Sequence, residues 1–176
     1  MKVILIGYRA TGKSTVGKML ADKLGIPFRD TDTLIQEEMG MPIRDIIAVC
    51  GWDFFRIQES QVIRRISEEG DAVVATGGGA VLLAENVVLL KKMGKVFWLH
   101  ASLHDVVERI KNDLLSEETR PRFTDANIVQ ETIAVLKKRI PLYEKAADFS
   151  IETTGKSALQ AVEEIYEKVL GRQAAF

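Results

Sequence analysis

Residues 7 to 14 read Gly-Tyr-Arg-Ala-Thr-Gly-Lys-Ser and fit the pattern G-x-x-x-x-G-K-[ST]. In a loop between a strand and a helix, backbone N–H groups and the helix N-terminus can hold phosphate oxygens. Lys13 then bridges the β- and γ-phosphates, and the Ser14 hydroxyl ligates Mg2+. The expected chemistry is phosphoryl transfer from a magnesium nucleotide. Many such proteins place an acid at the end of the third strand, but here that run ends "VVATGGG", with Thr76 and no carboxylate. The magnesium-side acid must come from elsewhere, and "RDTDTL" offers Asp30 and Asp32. If both stand on the second strand, their i, i+2 spacing turns them to one side, at the sheet edge where open α/β sheets bind ligands. The same D-T-D also reads as a helix N-cap supplied by Thr31 or Asp32.

These residues need a scaffold. Strand-like runs recur at residues 2–6, 27–30, 72–76, 95–99 and 149–152. Between them lie helical patterns such as Val16, Met19, Leu20 and Leu24, stopped by Gly25 with Pro27 beyond. Strands alternating with helices imply right-handed βαβ crossovers and a mainly parallel sheet covered on both faces. No repeat or low-complexity linker divides the chain, so a single domain over residues 1–176 is expected. Two regions break the alternation: a largely helical excursion at 33–70, and the polar stretch "NDLLSEETRPRFTDA" at 112–126, read as a mobile lid. A later helix carries apolar residues at Val129, Ile133, Leu136, Ile140 and Tyr143, and Pro141 is expected to interrupt it and bend the chain beside Arg139.

Composition narrows the partners. Lys and Arg total 24 against 25 Asp and Glu, a net charge of -1, so no basic excess points to nucleic acid or an anionic membrane. No apolar run approaches the ~18 residues of a membrane span, and a cytoplasmic setting is expected. Cys50, the one cysteine, sits in the apolar pattern "IRDIIAVCG" and is expected to be a buried structural thiol. His100 and His104 are read as surface or helix-terminal residues.

In order and spacing, "GYRATGKSTVGKMLA", "DTD" at 30–32, "GWDFFRIQE" at 51–59, "TGGGAV" at 76–81, "RP" at 120–121 and "KRIPLYEKAAD" at 138–148 resemble the shikimate kinases. The resemblance implies a three-layer α/β/α fold with a five-stranded parallel sheet, of the nucleoside-monophosphate-kinase-like P-loop group. The implied activity is ATP-dependent phosphorylation of the shikimate 3-hydroxyl, giving 3-phosphoshikimate and ADP, with Mg2+, by a monomer. Residue by residue it implies a nucleotide cradle of Gly7, Ala10, Thr11, Gly12, Lys13, Ser14 and Thr15, with Arg109 packing on the adenine. Ser14 and, through water, Asp30 would hold the metal. Asp32 would bind the acceptor hydroxyls and serve as base, Arg56 and Arg139 would hold its carboxylate, and Gly77, Gly78 and Gly79 would floor its site. Lys13, Asp32 and a lid arginine, Arg120, would carry the catalysis. Planar guanidinium forks do suit a carboxylate better than lysines.

The chain departs from the family pattern at Ala10, usually glycine, and at Trp52, usually Glu. It also has Arg122 and Phe123 after "RP", and "TTGKSA" at 153–158 lacks the usual proline. Blander roles remain open: Arg56 could only pair with Glu59 at i+3, Arg139 could only cover apolar helix surface, and Arg120 could be solvated. Two other functions stay in view, a kinase for another hydroxy acid such as gluconate and a nucleotide-binding regulatory module.

Overall fold

A computed structural model describes residues 1–112 and 128–171. Strand β1 (Lys2–Ile6) is buried along its whole length and occupies the centre of a five-stranded sheet. Around it stand β2 (Phe28–Asp30), β3 (Ala72–Ala75), β4 (Gly94–His100) and β5 (Phe149–Glu152), in the order β2-β3-β1-β4-β5. Every pairing is parallel. The three-layer α/β/α fold and the five parallel strands are those the sequence predicts.

Alternation along the strands divides the core in two. Ile4, Ile6, Val74 and Val96 face one layer, built from α3 (Ile43–Glu68), α4 (Ala84–Met93) and α6 (Ile128–Ala146). Val3, Leu5, Val73, Phe97 and Leu99 face the other, built from α1 (Lys13–Leu24) and α7 (Ala158–Leu170). Period-2 strands with both faces apolar are what a parallel sheet between helix layers requires. The remaining helices, α2 (Thr31–Met39) and α5 (Leu103–Asn112), lie at the carboxyl side of β2 and β4.

Local signals account for most boundaries. Gly25 ends α1 in the left-handed conformation, φ 66°, as its position after the apolar stripe implies. Ser157 and Gln160 form a capping box that starts α7. Gly51, φ 83° and ψ 169°, interrupts α3 and divides the excursion into two helical arms.

Several expectations need correction. Helix α2 begins at Thr31, so Asp32 is a helical residue and does not share a strand face with Asp30. The N-cap is Asp30, whose Oδ1 accepts from the Asp32 and Thr33 N–H groups at 3.1 and 3.3 Å. Pro141 does not break α6, which runs from Ile128 to Ala146. Pro141 and Lys137 are both exposed, so water can serve the Lys137 carbonyl that proline leaves without a donor. Nor is the buried face of α6 the apolar stripe: Glu131, Thr132, Arg139, Tyr143 and Ala146 are buried, while Ile133 is exposed. Cys50 is exposed, at the solvent-facing end of the arm before the Gly51 kink, where Val49 is exposed as well.

Asn112 closes α5, and the rest of the expected lid, with Arg120 and Arg122, lies outside the described residues. His100 pairs with the Ser150 hydroxyl at 2.9 Å, and His104 is exposed. Among the described residues no helix is long and apolar enough to cross a membrane.

Gly94 pairs with Lys2 at the start of β4, where a Cβ would overlap the Lys2 carbonyl. Backbone cannot swing aside as a side chain can. Gly94→Ala is expected to destabilise the fold by about 1–3 kcal/mol; an unchanged thermal midpoint would contradict the contact.

Candidate active site

The loop from β1 to α1 is shaped by its backbone. Gly7 has φ 141°, and a Cβ there would overlap the Leu99 carbonyl of β4. Gly12, φ 91°, leads into α1. Ala10, φ 60°, is the one non-glycine residue with positive φ among the described residues. It takes the left-handed conformation a glycine would take freely, at a cost of about 1–2 kcal/mol. The departure at this position therefore preserves the loop geometry. Thr11 Oγ1 and Lys13 Nζ both donate to the Tyr8 carbonyl, at 2.8 and 2.7 Å. Arg109 donates to the Ala10 carbonyl at 3.3 Å and to Thr153 Oγ1 and O at 3.2 and 3.0 Å. This ties α5 to the P-loop and to the segment after β5. Thr15 and Ser14 are exposed at the first turn of α1.

Ser14 Oγ donates to Asp30 Oδ2 at 2.6 Å. A hydroxyl and a carboxylate thus converge where the P-loop meets β2, a hard-oxygen pair that suits Mg2+, which keeps several waters and leans on substrate phosphates. Among the described residues no group of three or more His, Cys, Asp or Glu could hold a metal without such help.

Beside the loop opens a cavity that is partly open to solvent. Its charged lining is Arg9, Asp32, Arg56, Glu59 and Arg139; its apolar wall is Ile43, Trp52 and Phe55, and Gly77 to Gly79 complete it. The first turn of α2, the excursion, the β3 turn and α6 therefore bring together every acceptor residue named from the sequence. Arg56 lies 5.3 Å from the Trp52 ring centre and 5.2 Å from that of Phe55. Aromatic faces stand beside it where the family pattern supplies a Glu. The i+3 pairing is present as well, Arg56 Nη1 to Glu59 Oε2 at 2.5 Å, so the pairing and pocket roles coexist.

The glycines differ among themselves. A Cβ on Gly77 would stand 2.5 Å from both Asp32 Oδ1 and Glu59 Oε1, and one on Gly79 would overlap the Arg56 guanidinium. At Gly78 the nearest atoms lie at 3.4–3.7 Å, ordinary contact. Two carboxylates and an arginine, rather than backbone conformation, require glycine at the outer positions.

Three features escaped the sequence reading. Arg9 of the P-loop donates to Glu131 of α6 at 2.9 Å, with both side chains buried. Tyr143 Oη donates to the Gly78 carbonyl at 2.5 Å. Glu59, with no exposure, belongs to the cavity and is not merely a helix-surface partner. Glu131, Arg139 and Tyr143 are spaced i, i+8, i+12, a polar stripe on one helix face that was the available signal. Burial pushes the Glu59 carboxyl up to about 7, and the Asp32 charge adds to this, against the opposing pull of Arg56 and Arg139.

Gly79→Ala is expected to displace Arg56 and raise the acceptor KM about tenfold or more, whereas Gly78→Ala should change it little. Equal effects in steady-state kinetics would refute the distinction. For Glu59, the folded value of about 7 exceeds the ordinary 4.5. The folded chain therefore keeps a proton that the unfolded chain releases, and this contribution to stability fades as pH rises from about 4.5 through 7. Glu59→Gln should gain on the parent chain in urea unfolding between about pH 5 and 8; parallel curves would show that Glu59 does not titrate there.

Comparisons with known proteins agree with this geometry. The family model described as shikimate kinase matches residues 9–170. The shikimate kinase of Syntrophus aciditrophicus (strain SB) is 43% identical over 174 residues, covering 94% of this chain and 89% of that protein. That of Moorella thermoacetica is 39% identical over 165 residues, covering 94% and 92%. Among solved structures, the shikimate kinase from Acinetobacter baumannii in complex with shikimate superposes with a TM-score of 0.90 at 32% identity, covering 99% of this chain and 95% of that one. Likeness that spans nearly the whole of each partner leaves one assignment: this chain belongs to the shikimate kinase family.

Proposed function

We propose that this chain transfers the γ-phosphoryl group of ATP to the 3-hydroxyl of shikimate, releasing 3-phosphoshikimate and ADP. The observation that carries the reading is the cavity itself, where two carboxylates and three arginines surround bare glycine backbone next to a P-loop. A neutral polyol would offer the arginines no carboxylate, and a ligand without hydroxyls would leave Asp32 unused.

In this reading Arg56 and Arg139 clamp the acceptor carboxylate, Ile43, Trp52 and Phe55 line the cavity around its ring, and the ring rests against Gly77 to Gly79. Asp32 accepts the hydrogen bond of the reacting hydroxyl. As the hydroxyl oxygen bonds to the γ-phosphorus and the bond to the β-phosphate bridge breaks, the hydroxyl proton passes to the Asp32 carboxylate. Loop N–H groups and Lys13 hold the phosphates, and Arg109 packs on the adenine. Lys13 gives up the Tyr8 carbonyl for phosphate oxygens. Ser14 and, through water, Asp30 would hold Mg2+, which would neutralise charge on the nucleotide. Arg120, assigned by family resemblance to the transferring phosphate, supplies further positive charge. Little covalent chemistry falls to the protein, so positioning and charge neutralisation supply most of the rate.

A coupled ADP-release assay with Mg-ATP is expected to respond to shikimate and not to gluconate; the reverse would overturn the reading. In the same assay Asp32→Asn should lower kcat by a factor of about 10²–10⁴, the usual worth of a positioned general base, with nucleotide binding retained. Unaltered turnover would remove Asp32 from the proton transfer.

A further inference from the structure

Arg139 does not reach the cavity alone. Its Nη1 donates to the Gly78 carbonyl at 3.1 Å, and the same oxygen accepts the Tyr143 hydroxyl at 2.5 Å. A carbonyl oxygen has two lone pairs, so this one is filled by two donors spaced i, i+4 on α6. One of the donors is the expected ligand of the acceptor carboxylate. The other is only 1% exposed, and its ring stacks on Trp98 of β4 at 5.9 Å and 19°. Trp98 pairs with Ile6 of the central strand, so the phenol is referenced to the sheet.

We propose that Tyr143 is a positioning residue for acceptor binding: its hydroxyl fixes the Gly78 carbonyl, and through it both the guanidinium of Arg139 and the glycine turn. A trans peptide opposes its C=O and N–H, so holding the Gly78 carbonyl toward α6 turns the Gly79 N–H to the opposite side. One hydrogen bond therefore sets the direction of a backbone donor and a charged side chain together. Burial, the dominant influence, pushes the phenol up to about 12, so Tyr143 remains a donor across the neutral range. The Gly78 carbonyl is not an adventitious partner: the cavity requires glycine at 77 and 79, and this short turn has little side-chain packing of its own to hold it.

The inference rests on Arg139 as a carboxylate ligand. Tyr143→Phe keeps the ring and its stacking and removes only the hydroxyl. The KM for shikimate should rise about tenfold, with the KM for ATP and the thermal midpoint little changed and kcat altered less than the acceptor KM. Isothermal titration of shikimate in the absence of nucleotide should show the same loss. In a double-mutant cycle the substitution should add little to Arg139→Gln, because the two act through one carbonyl. An unchanged acceptor KM, an equal loss for both substrates, or full additivity would each overturn the proposal. Should the parent chain fail to phosphorylate shikimate, the functional reading fails first. Should the parent turn over normally and Tyr143→Phe match it, only the role of Tyr143 falls.

Discussion

Arg56 and Glu59 meet at 2.5 Å where solvent hardly reaches, and an ion pair so placed holds only while its surroundings answer the remaining charge. The cavity supplies that answer as a set. Three arginines of its lining, Arg9, Arg56 and Arg139, stand against Asp32 and Glu59 of the same lining and against Glu131, which meets Arg9 behind it; the six come from the P-loop, α2, α3 and α6. Both α3 and α6 carry one group of each sign, but only α3 pairs its own two; Glu131 of α6 is taken by Arg9 of the P-loop. The charges therefore do structural work before any ligand arrives, since burying one side of the set without the other is strongly unfavourable. The same balance answers the charge of the guanidinium groups that face the cavity.

The sheet is what permits such a set to assemble. All five strands run the same way, so the segments after β1, β2 and β3 leave from one edge and can meet there. The P-loop follows β1, Asp30 caps the helix after β2, and the glycine turn follows β3. Gly77 N–H donates to Thr31 Oγ1 at 2.9 Å, which binds two of these exits directly. Arg109 binds the P-loop to the segment beyond β5 from the other side. Precision at the site thus comes from short connections between neighbouring strand ends.

Much of this was legible in the sequence because its signals are local. The P-loop pattern, the apolar strand runs and the Gly25 stop each depend on neighbours within a few residues, and each appears where expected. Asp32 was misplaced because a strand end and a helix N-cap share the D-T-D pattern, and only the packing of α2 decides between them. The buried face of α6 was misjudged for a related reason. Apolar periodicity finds the face that meets oil, but this helix turns Arg139 to the cavity and Glu131 to Arg9 of the P-loop, with Thr132 also buried and Ile133 exposed. The Arg9–Glu131 pair spans 122 positions and leaves no local trace.

The exposed thiol at the Gly51 kink has a practical side. Cys50 is the only cysteine of the chain and stands at the junction of the two arms of α3, one of which carries Ile43 and the other Arg56 and Glu59. A maleimide dye or nitroxide would therefore attach at one place, with no cysteine to remove first. Trp52 lies two residues away as a native fluorescence partner. The chain thus brings its own labelling position to within two residues of Trp52 in the cavity wall, a pair through which the filling of that cavity can be watched optically.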